Sequence, residues 1–176
     1  MHKLLVTVAA AAATAALIPA AASAAPITPK SRITQNGLGS MRLNMTIAQA
    51  QNRTGQRIDY QSFDPNDDVC GIGSLAPQSL GVTVLATNGR IRVINVAEAG
   101  ISTRAGIEVG DRARDLRRAY GSRLRSQPSK YDPKSRDYWV TFGPRRKLVF
   151  YADGKRVIRQ IAGGRTPEVD YVEGCS

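Results

Sequence analysis

The chain has 176 residues, a formal net charge of +11 at pH 7 and a single histidine, His2. Because the rest of the chain lacks histidine, it contains no Ser-His-Asp triad, no Cys-His pair and no imidazole metal ligand. We therefore predict that the protein is not an enzyme and binds no metal or cofactor. A catalytic pair of carboxylates is the alternative left open, although no spacing supports one.

Residues 1–24 have the pattern of a cleavable signal peptide. A short basic start is followed by an apolar run over residues 4–17, and small residues at Ala22 and Ala24 mark the cleavage site. The alternative is a transmembrane anchor, for which this run is too short, and no later stretch is apolar enough to span a bilayer. We expect a secreted, periplasmic or cell-envelope protein with a flexible lead-in over residues 25–31.

The first predicted unit covers residues 32–99 and opens with a short helix. Thr46 and Gln49 have the spacing of a capping box, in which each side chain bonds the backbone amide of the other residue. Gly55 is placed to end this helix in the left-handed conformation. The face of the helix that packs inward is predicted to contain Ile47, Ala50 and Thr54.

The second predicted unit covers residues 100–176 and repeats this pattern. Its stretch from Ala105 to Gly121 matches the stretch from Gly39 to Gly55 in its apolar positions and closing glycine. Arg112 stands where the first unit has its capping threonine, so Asp111 is predicted to take the cap. The inward face of this helix is predicted to contain Ala113, Leu116 and Tyr120.

Strands are predicted after each helix. Residues 82–96 form a predicted hairpin around an Asn-Gly turn, and residues 147–161 form a second around an Asp-Gly turn. Residues 57–60 and 138–142 add one strand to each. These elements predict an α+β fold of two tandem units, each a short helix followed by an antiparallel sheet of about three strands. Packing the helix on the sheet would cover the apolar face of both.

The exported chain would carry two cysteines, Cys70 and Cys175, which predict a disulfide. The bond would close a loop of about 100 residues, for which the chain-entropy estimate is about 4–5 kcal/mol. Two free thiols or a metal site are the alternatives. A zinc site is disfavoured because two cysteines without histidine supply too few ligands.

The stretch RLNMTIAQAQNRTG, residues 42–55, resembles an element of two bacterial groups, the BamE/SmpA lipoproteins and the secreted β-lactamase-inhibitory proteins. The resemblance implies tandem helix-plus-sheet repeats. Asn44 and Arg112 depart from the Gly and Thr usual in that element. Because the lipid-bearing cysteine of the BamE group is absent, its membrane-anchored role is not carried over. No inhibitory residue can be matched. The stretches ISTRAGIEVGD and DYVEGC are similar to those of small uncharacterised exported bacterial proteins.

Residues from Asp64 to Asp68 begin like a calcium loop, with oxygen ligands on alternate residues. Val69 stands where that loop needs glycine, and Leu75 stands where it needs a bidentate glutamate. A polar loop leading to Cys70 is therefore preferred, and no metal site is predicted.

The second unit is strongly basic. From residue 100 onward there are 17 Lys and Arg against 9 Asp and Glu. Arg114, Arg117 and Arg118 share one face of the predicted helix, and Arg145 and Arg146 lie in a turn between strands. They predict a binding surface for an anionic partner such as an envelope polymer, lipid head groups or an acidic protein. A solvated face is the alternative, and nucleic acid is disfavoured because no nucleic-acid-binding motif is present.

Trp139 is predicted on the outer face of its strand, because Tyr138, Val140 and Phe142 alternate with it and form the larger apolar set. The alternative is that another part of the chain covers it. An exposed Trp beside arginines is typical of an interface. We therefore expect a non-catalytic exported binding protein or inhibitor-like module with an unknown protein partner. The alternative function is adsorption to anionic cell-wall or lipid material through the basic second unit. Nothing in the sequence indicates the oligomeric state.

Overall fold

A computed structural model describes residues 23–64, 67–171 and 175. The predicted signal peptide lies outside this part except for its last two residues, and Asn66 of the calcium-like motif also lies outside it. The described chain forms twelve β-strands in two sheets and two α-helices of eight residues each. None of its helices is long and apolar enough to cross a bilayer.

The smaller sheet is built from four short strands. They are β1 (Arg32–Thr34), β2 (Gly37–Leu38), β3 (Met41–Arg42) and β8 (Ser102–Thr103). Their order in the sheet is β3-β2-β1-β8. The first three strands pair antiparallel, and β1 pairs parallel with β8. This sheet therefore joins segments from both predicted units.

The larger sheet contains the other eight strands, all antiparallel. They are β4 (Ile58–Asp64), β5 (Asp67–Leu75), β6 (Val82–Thr87), β7 (Arg90–Val96), β9 (Arg125–Pro128), β10 (Arg136–Thr141), β11 (Arg146–Ala152) and β12 (Ile158–Arg165). The order is β4-β5-β6-β7-β12-β11-β10-β9. At the centre β7 pairs with β12, with Val96 opposite Ile161. Two four-stranded halves thus join edge to edge into one continuous sheet.

The first helix, α1 (Ile47–Thr54), begins and ends as predicted. The Gln49 backbone amide donates to the Thr46 hydroxyl at 3.1 Å, and the Thr46 amide donates to the Gln49 side chain at 3.0 Å. Gly55 closes the helix with φ of 68°. This reciprocal cap satisfies two amides that the first helical turn leaves without a partner.

The second helix, α2 (Ala113–Tyr120), lies where the sequence placed it, but the predicted cap is wrong. Arg112 is the N-cap residue, and its own side chain makes no capping hydrogen bond. The Asp111 carboxylate instead accepts a hydrogen bond from the Glu108 amide at 2.9 Å. Asp115 in the first turn accepts from the Arg112 amide at 3.2 Å, so a carboxylate still lies near the positive end of the helix dipole.

Both helices and the smaller sheet cover the same face of the larger sheet. Ala50 of α1 and Leu116 of α2 are buried in one apolar cluster with Tyr138 and Phe150. Ile33 of β1 belongs to the same cluster. The main core therefore lies between the larger sheet on one side and the helices and smaller sheet on the other.

The predicted strands are confirmed, with one difference in a turn. Asn88 and Gly89 link β6 and β7 with φ of 50° and 66°, as a two-residue hairpin turn requires. The second hairpin has a longer connection, because β11 ends at Ala152 and β12 begins at Ile158. The Asp153 carboxylate holds this connection by accepting from the Val157 amide at 2.9 Å.

The predicted fold class is wrong. The chain is mostly β, with one eight-stranded antiparallel sheet and two short helices in the described part, and it does not form two helix-plus-sheet units of about three strands. Strands β1, β2, β5, β8 and β9 were missed. All four residues of β9 are exposed, so its sequence has no apolar alternation to reveal a strand. The glycines of β5 hide its pattern in the same way.

Candidate functional site

Trp139 lies on the face of the larger sheet opposite the helices. Tyr138 and Val140, its neighbours in β10, are almost fully buried in the main core. Successive side chains of a strand point to opposite faces, so Trp139 points away from that core. Its ring packs, half-buried, against a second apolar cluster that includes Val149, the residue opposite it in β11.

The second cluster forms the floor of an open groove of about 640 Å³. Its buried members are Leu85, Val93, Val149, Ala162 and Val169. The neighbouring strands β6, β7, β12 and β11 contribute one of these residues each. Val169 comes from the segment after β12. Trp139 and Tyr151 add two aromatic rings to the same surface.

The segment after β12 forms one wall of the groove. It folds as a short 3₁₀ turn, Glu168–Asp170, and places Val169 against Gly164 of β12. A Cβ at Gly164 would meet Val169 at 2.9 Å, so only glycine allows this close approach. Lys147 ties the turn to β11 through an ion pair with Asp170, with 2.7 Å between Nζ and Oδ2.

The predicted disulfide is confirmed and fixes the same segment. Cys70 of β5 is bonded to Cys175, with 5.8 Å between their Cα atoms. Both cysteines pack against the second cluster. The chain end is thus anchored to the half of the sheet that lies far from it in sequence. A disulfide is consistent with an oxidising, exported location.

Polar side chains line the groove beside the apolar floor. Gln160 donates to the Asn95 side chain at 3.0 Å, and Asn95 donates to the Thr83 hydroxyl at 3.4 Å. These three side chains come from β12, β7 and β6 and form one polar row across the sheet. They leave further donor and acceptor capacity open to the groove.

Two titratable groups of the groove have pKa values shifted by their surroundings. Burial raises the pKa of the Tyr151 hydroxyl to about 12, and the nearby carboxylates of Asp137 and Asp170 add to the shift. Burial also raises the pKa of Asp137 above its ordinary value. Each shift arises because the apolar surroundings disfavour the charged form. The Tyr151 hydroxyl therefore stays protonated, and able to donate a hydrogen bond, to a higher pH than an ordinary tyrosine.

The arrangement is suited to binding. An apolar floor with two aromatic rings offers contact area, and amide, hydroxyl and carboxyl groups at fixed positions orient a ligand through hydrogen bonds. In the described residues, no group of three or more His, Cys, Asp or Glu side chains is placed to hold a metal ion.

The structure separates the predicted site residues into three places. Trp139 lines the groove, whereas Arg114, Arg117 and Arg118 project to solvent from α2 on the other side of the sheet. Arg145 and Arg146 are exposed at the turn into β11. The Arg146 guanidinium donates to the side-chain oxygen of Asn36 in the smaller sheet. Trp139 and the helix arginines therefore do not share one surface.

Sequence reasoning missed Asn95, Tyr151 and Gln160. Each lies in a strand that was predicted, on the face opposite the core. A polar residue between two buried apolar ones, such as Asn95 between Ile94 and Val96, is the signal that could have indicated them. Their convergence depends on the pairing of β7 with β12, which brings strands from distant parts of the chain together.

No protein-family model and no curated protein sequence matches this chain. Among solved structures, the uncharacterized protein YfeY from Escherichia coli is similar, with a TM-score of 0.53 and 14% sequence identity. The similarity covers 76% of this chain and 99% of the YfeY chain. At this level of identity the likeness shows the fold alone.

The resemblance to the BamE/SmpA and β-lactamase-inhibitory proteins is wrong. A structural neighbour is YfeY, and the chain forms a large antiparallel sheet with few helices in place of helix-plus-sheet repeats. The stretch at residues 42–55 does contain a capped helix. A threonine cap and a closing glycine mark many short helices, however, so this element does not identify a family.

Proposed function

We propose that the protein is a non-catalytic binding protein that holds a protein partner in the groove around Trp139. The observation that carries the proposal is the groove itself, about 640 Å³ in volume and left open on one face of the larger sheet. An apolar centre with aromatic side chains and a polar rim is the composition of protein interfaces. Trp and Tyr are also the residues that most often dominate binding energy.

The surface extends past the groove along the sheet. Ile72 of β5 lines the groove and is 38% exposed, and Phe63 and Val69 are exposed at 62% and 49% in the β4–β5 hairpin. The exposed Ile72 side chain widens the apolar surface towards β5, which supports a partner larger than a small molecule. The Cys70–Cys175 bond supports an exported location. The proposal includes cleavage of residues 1–24 as a signal peptide.

The second candidate function is adsorption to anionic cell-wall or lipid material through α2. The side chains of Arg114 and Arg118 are 77% and 80% exposed. Their ion pairs with Asp115, at 4.0 and 3.6 Å, are long and solvated, so both cations remain open to other anions. Such adsorption would weaken strongly with salt, whereas binding in the groove would persist.

The two functions are tested with one set of variants. Immobilised mature protein is used to capture partners from the envelope and medium of the producing cell, at low and high salt. We expect a protein that wild type retains at high salt and that Trp139→Ala loses. A triple variant, Arg114→Gln with Arg117→Gln and Arg118→Gln, should retain it because it leaves the groove intact.

Trp139 is the only tryptophan of the chain and reports directly on the groove. Titration with the captured protein should shift its fluorescence emission in wild type and in the arginine variant. Capture that depends on the helix arginines and disappears with salt would support the second candidate. Retention of the partner by a folded Trp139→Ala variant would contradict the groove proposal.

A further inference from the structure

A separate cluster of arginines lies where the smaller sheet meets the end of the central strands. Arg92 and Arg165 both donate to the side-chain oxygen of Asn44, at 2.5 and 3.2 Å. Arg90 donates to the backbone oxygen of the same residue at 2.9 Å. Arg146, on the strand beside Arg165, donates to the side-chain oxygen of Asn36.

The strand register places these cations side by side. Arg146 and Arg165 are directly opposite each other in β11 and β12. Arg92 precedes Val93, whose partner in β12 is Gly164, so Arg92 lies beside Arg165 at the end of this ladder. Directly opposite residues share one face of a sheet, and like charges at such positions destabilise it. The opposed charges of Arg146 and Arg165 therefore have an electrostatic cost in the folded sheet.

The partners of the cluster do little to offset its charge. The Asn44 and Asn36 side chains supply neutral oxygens, which accept hydrogen bonds and carry no negative charge. The one carboxylate paired with the cluster among the described residues is Glu168, 3.7 Å from Arg92. Four cations thus face one anion. The side chain of Arg92 is only 17% exposed, so solvent screens this charge less than it does on α2.

We infer that this cluster, Arg90, Arg92, Arg146 and Arg165, binds a phosphate group. The guanidinium groups of Arg92 and Arg165 come from neighbouring strands and meet at one point, which matches a tetrahedral oxyanion because each can donate two parallel hydrogen bonds. The Asn44 oxygen marks the point where two of the guanidinium groups already meet. A phosphate oxygen near it receives charge-assisted hydrogen bonds, which are stronger than bonds to a neutral amide. The phosphate is carried by a free anion, a phosphomonoester or a phospholipid head group.

The first test measures phosphate binding by calorimetry at low ionic strength. Wild type should bind inorganic phosphate at one saturable site. The double variant Arg92→Gln with Arg165→Gln should bind about tenfold more weakly or worse, since it removes both donors that meet at Asn44. The matched control is Arg53→Gln with Arg57→Gln, which removes the same charge from two exposed positions outside the cluster. Its affinity should stay within about twofold of wild type.

The second test places a carboxylate of the protein itself in the proposed phosphate site and leaves every arginine in place. Asn44 has φ of 69°, a conformation that aspartate also tolerates. Asn44→Asp should place a carboxylate against Arg92 and Arg165. We expect this variant to melt at a higher temperature than wild type and to lose phosphate binding. Equal weakening by the two Gln pairs, absence of saturable binding to wild type, or unchanged phosphate affinity in Asn44→Asp would overturn the inference.

The source of the phosphate is distinguished by three probes. They are inorganic phosphate, glycerol phosphate, and vesicles of phosphatidylglycerol compared with vesicles of phosphatidylcholine. If wild type sediments with the anionic vesicles and Asn44→Asp does not, the phosphate belongs to a lipid head group. Binding of the soluble probes without vesicle binding would assign a free phosphate or phosphomonoester.

Discussion

Single residues of the groove owe their properties to the packing around them. Tyr151 alternates with Phe150 along β11, so one ring enters the main core and the other faces the groove. There Tyr151 is desolvated and lies near two carboxylates, which together hold its pKa at about 12. The residue type fixes the ordinary pKa, whereas the fold fixes the shift.

Tyr151→Phe should change how stability depends on alkaline pH. The folded pKa of about 12 lies above the unfolded value of about 10. Below pH 10 the hydroxyl is protonated in both states. Between pH 10 and 12 only the unfolded state ionises, so this group lowers the free energy of unfolding of wild type by about 2–3 kcal/mol across that range. The variant should lack this component. Urea denaturation at several pH values measures it, and parallel curves for the two proteins would contradict it.

At the scale of elements, the smaller sheet is seated directly on the central strands. Gly163 of β12 faces the backbone of Thr34 in β1, and a Cβ there would collide with the Thr34 carbonyl oxygen. The same strand uses Gly164 to accept Val169 on its other face. Two successive glycines therefore let one strand receive packing elements on both sides.

Gly163→Ala should separate the smaller sheet from β12 and destabilise the protein by about 1–3 kcal/mol, the usual cost of overpacking a core. The matched control is Gly154→Ala in the exposed β11–β12 turn. The atoms nearest to its added Cβ belong to Lys134, with the side-chain Cβ at 3.2 Å and the backbone oxygen at 3.7 Å, and that exposed loop can give way. Chemical denaturation of both variants measures the difference. Equal stability of the two would show that the sheets are not in contact at Gly163.

At the scale of the whole molecule, long-range contacts tie the segment after β12 to the larger sheet. The Cys70–Cys175 bond spans 105 residues of sequence and joins β5 to the chain end. The ion pair of Lys147 with Asp170 adds a noncovalent tie to the same segment. The wall of the groove is therefore positioned by contacts between distant parts of the chain.

Replacing both cysteines by serine should lower the free energy of unfolding by up to about 4–5 kcal/mol, because the unfolded chain regains the freedom of a long loop. Trp139 emission should also move towards that of a solvent-exposed indole as the wall loosens. Denaturation and fluorescence of the double variant are compared with those of wild type, with reductant as a second route. Unchanged stability by both routes would show that the bond contributes nothing to the fold.

Local patterns predicted much of the secondary structure. The capping box of Thr46 and Gln49, the Asn88-Gly89 turn and the alternation around Trp139 each depend on residues close in sequence. Such signals act through neighbouring backbone groups, so they can be recognised without knowing how the rest of the chain folds. The predicted fold class failed because the pairing of β7 with β12, which joins the two predicted units into one sheet, leaves no local signal. Strand β9 and the glycines of β5 also carry no local apolar pattern.

The sequence by itself determined the two helices, most strands, the only available cysteine pairing and the outward direction of Trp139. Only the tertiary structure decided that the strands join into one eight-stranded sheet through β7 and β12. The same pairing assembled the groove and brought Arg92 beside Arg165. The physical reason is that sheet pairing uses backbone hydrogen bonds, which every residue except proline can offer. The choice of partner between distant strands is therefore settled by how the whole chain packs.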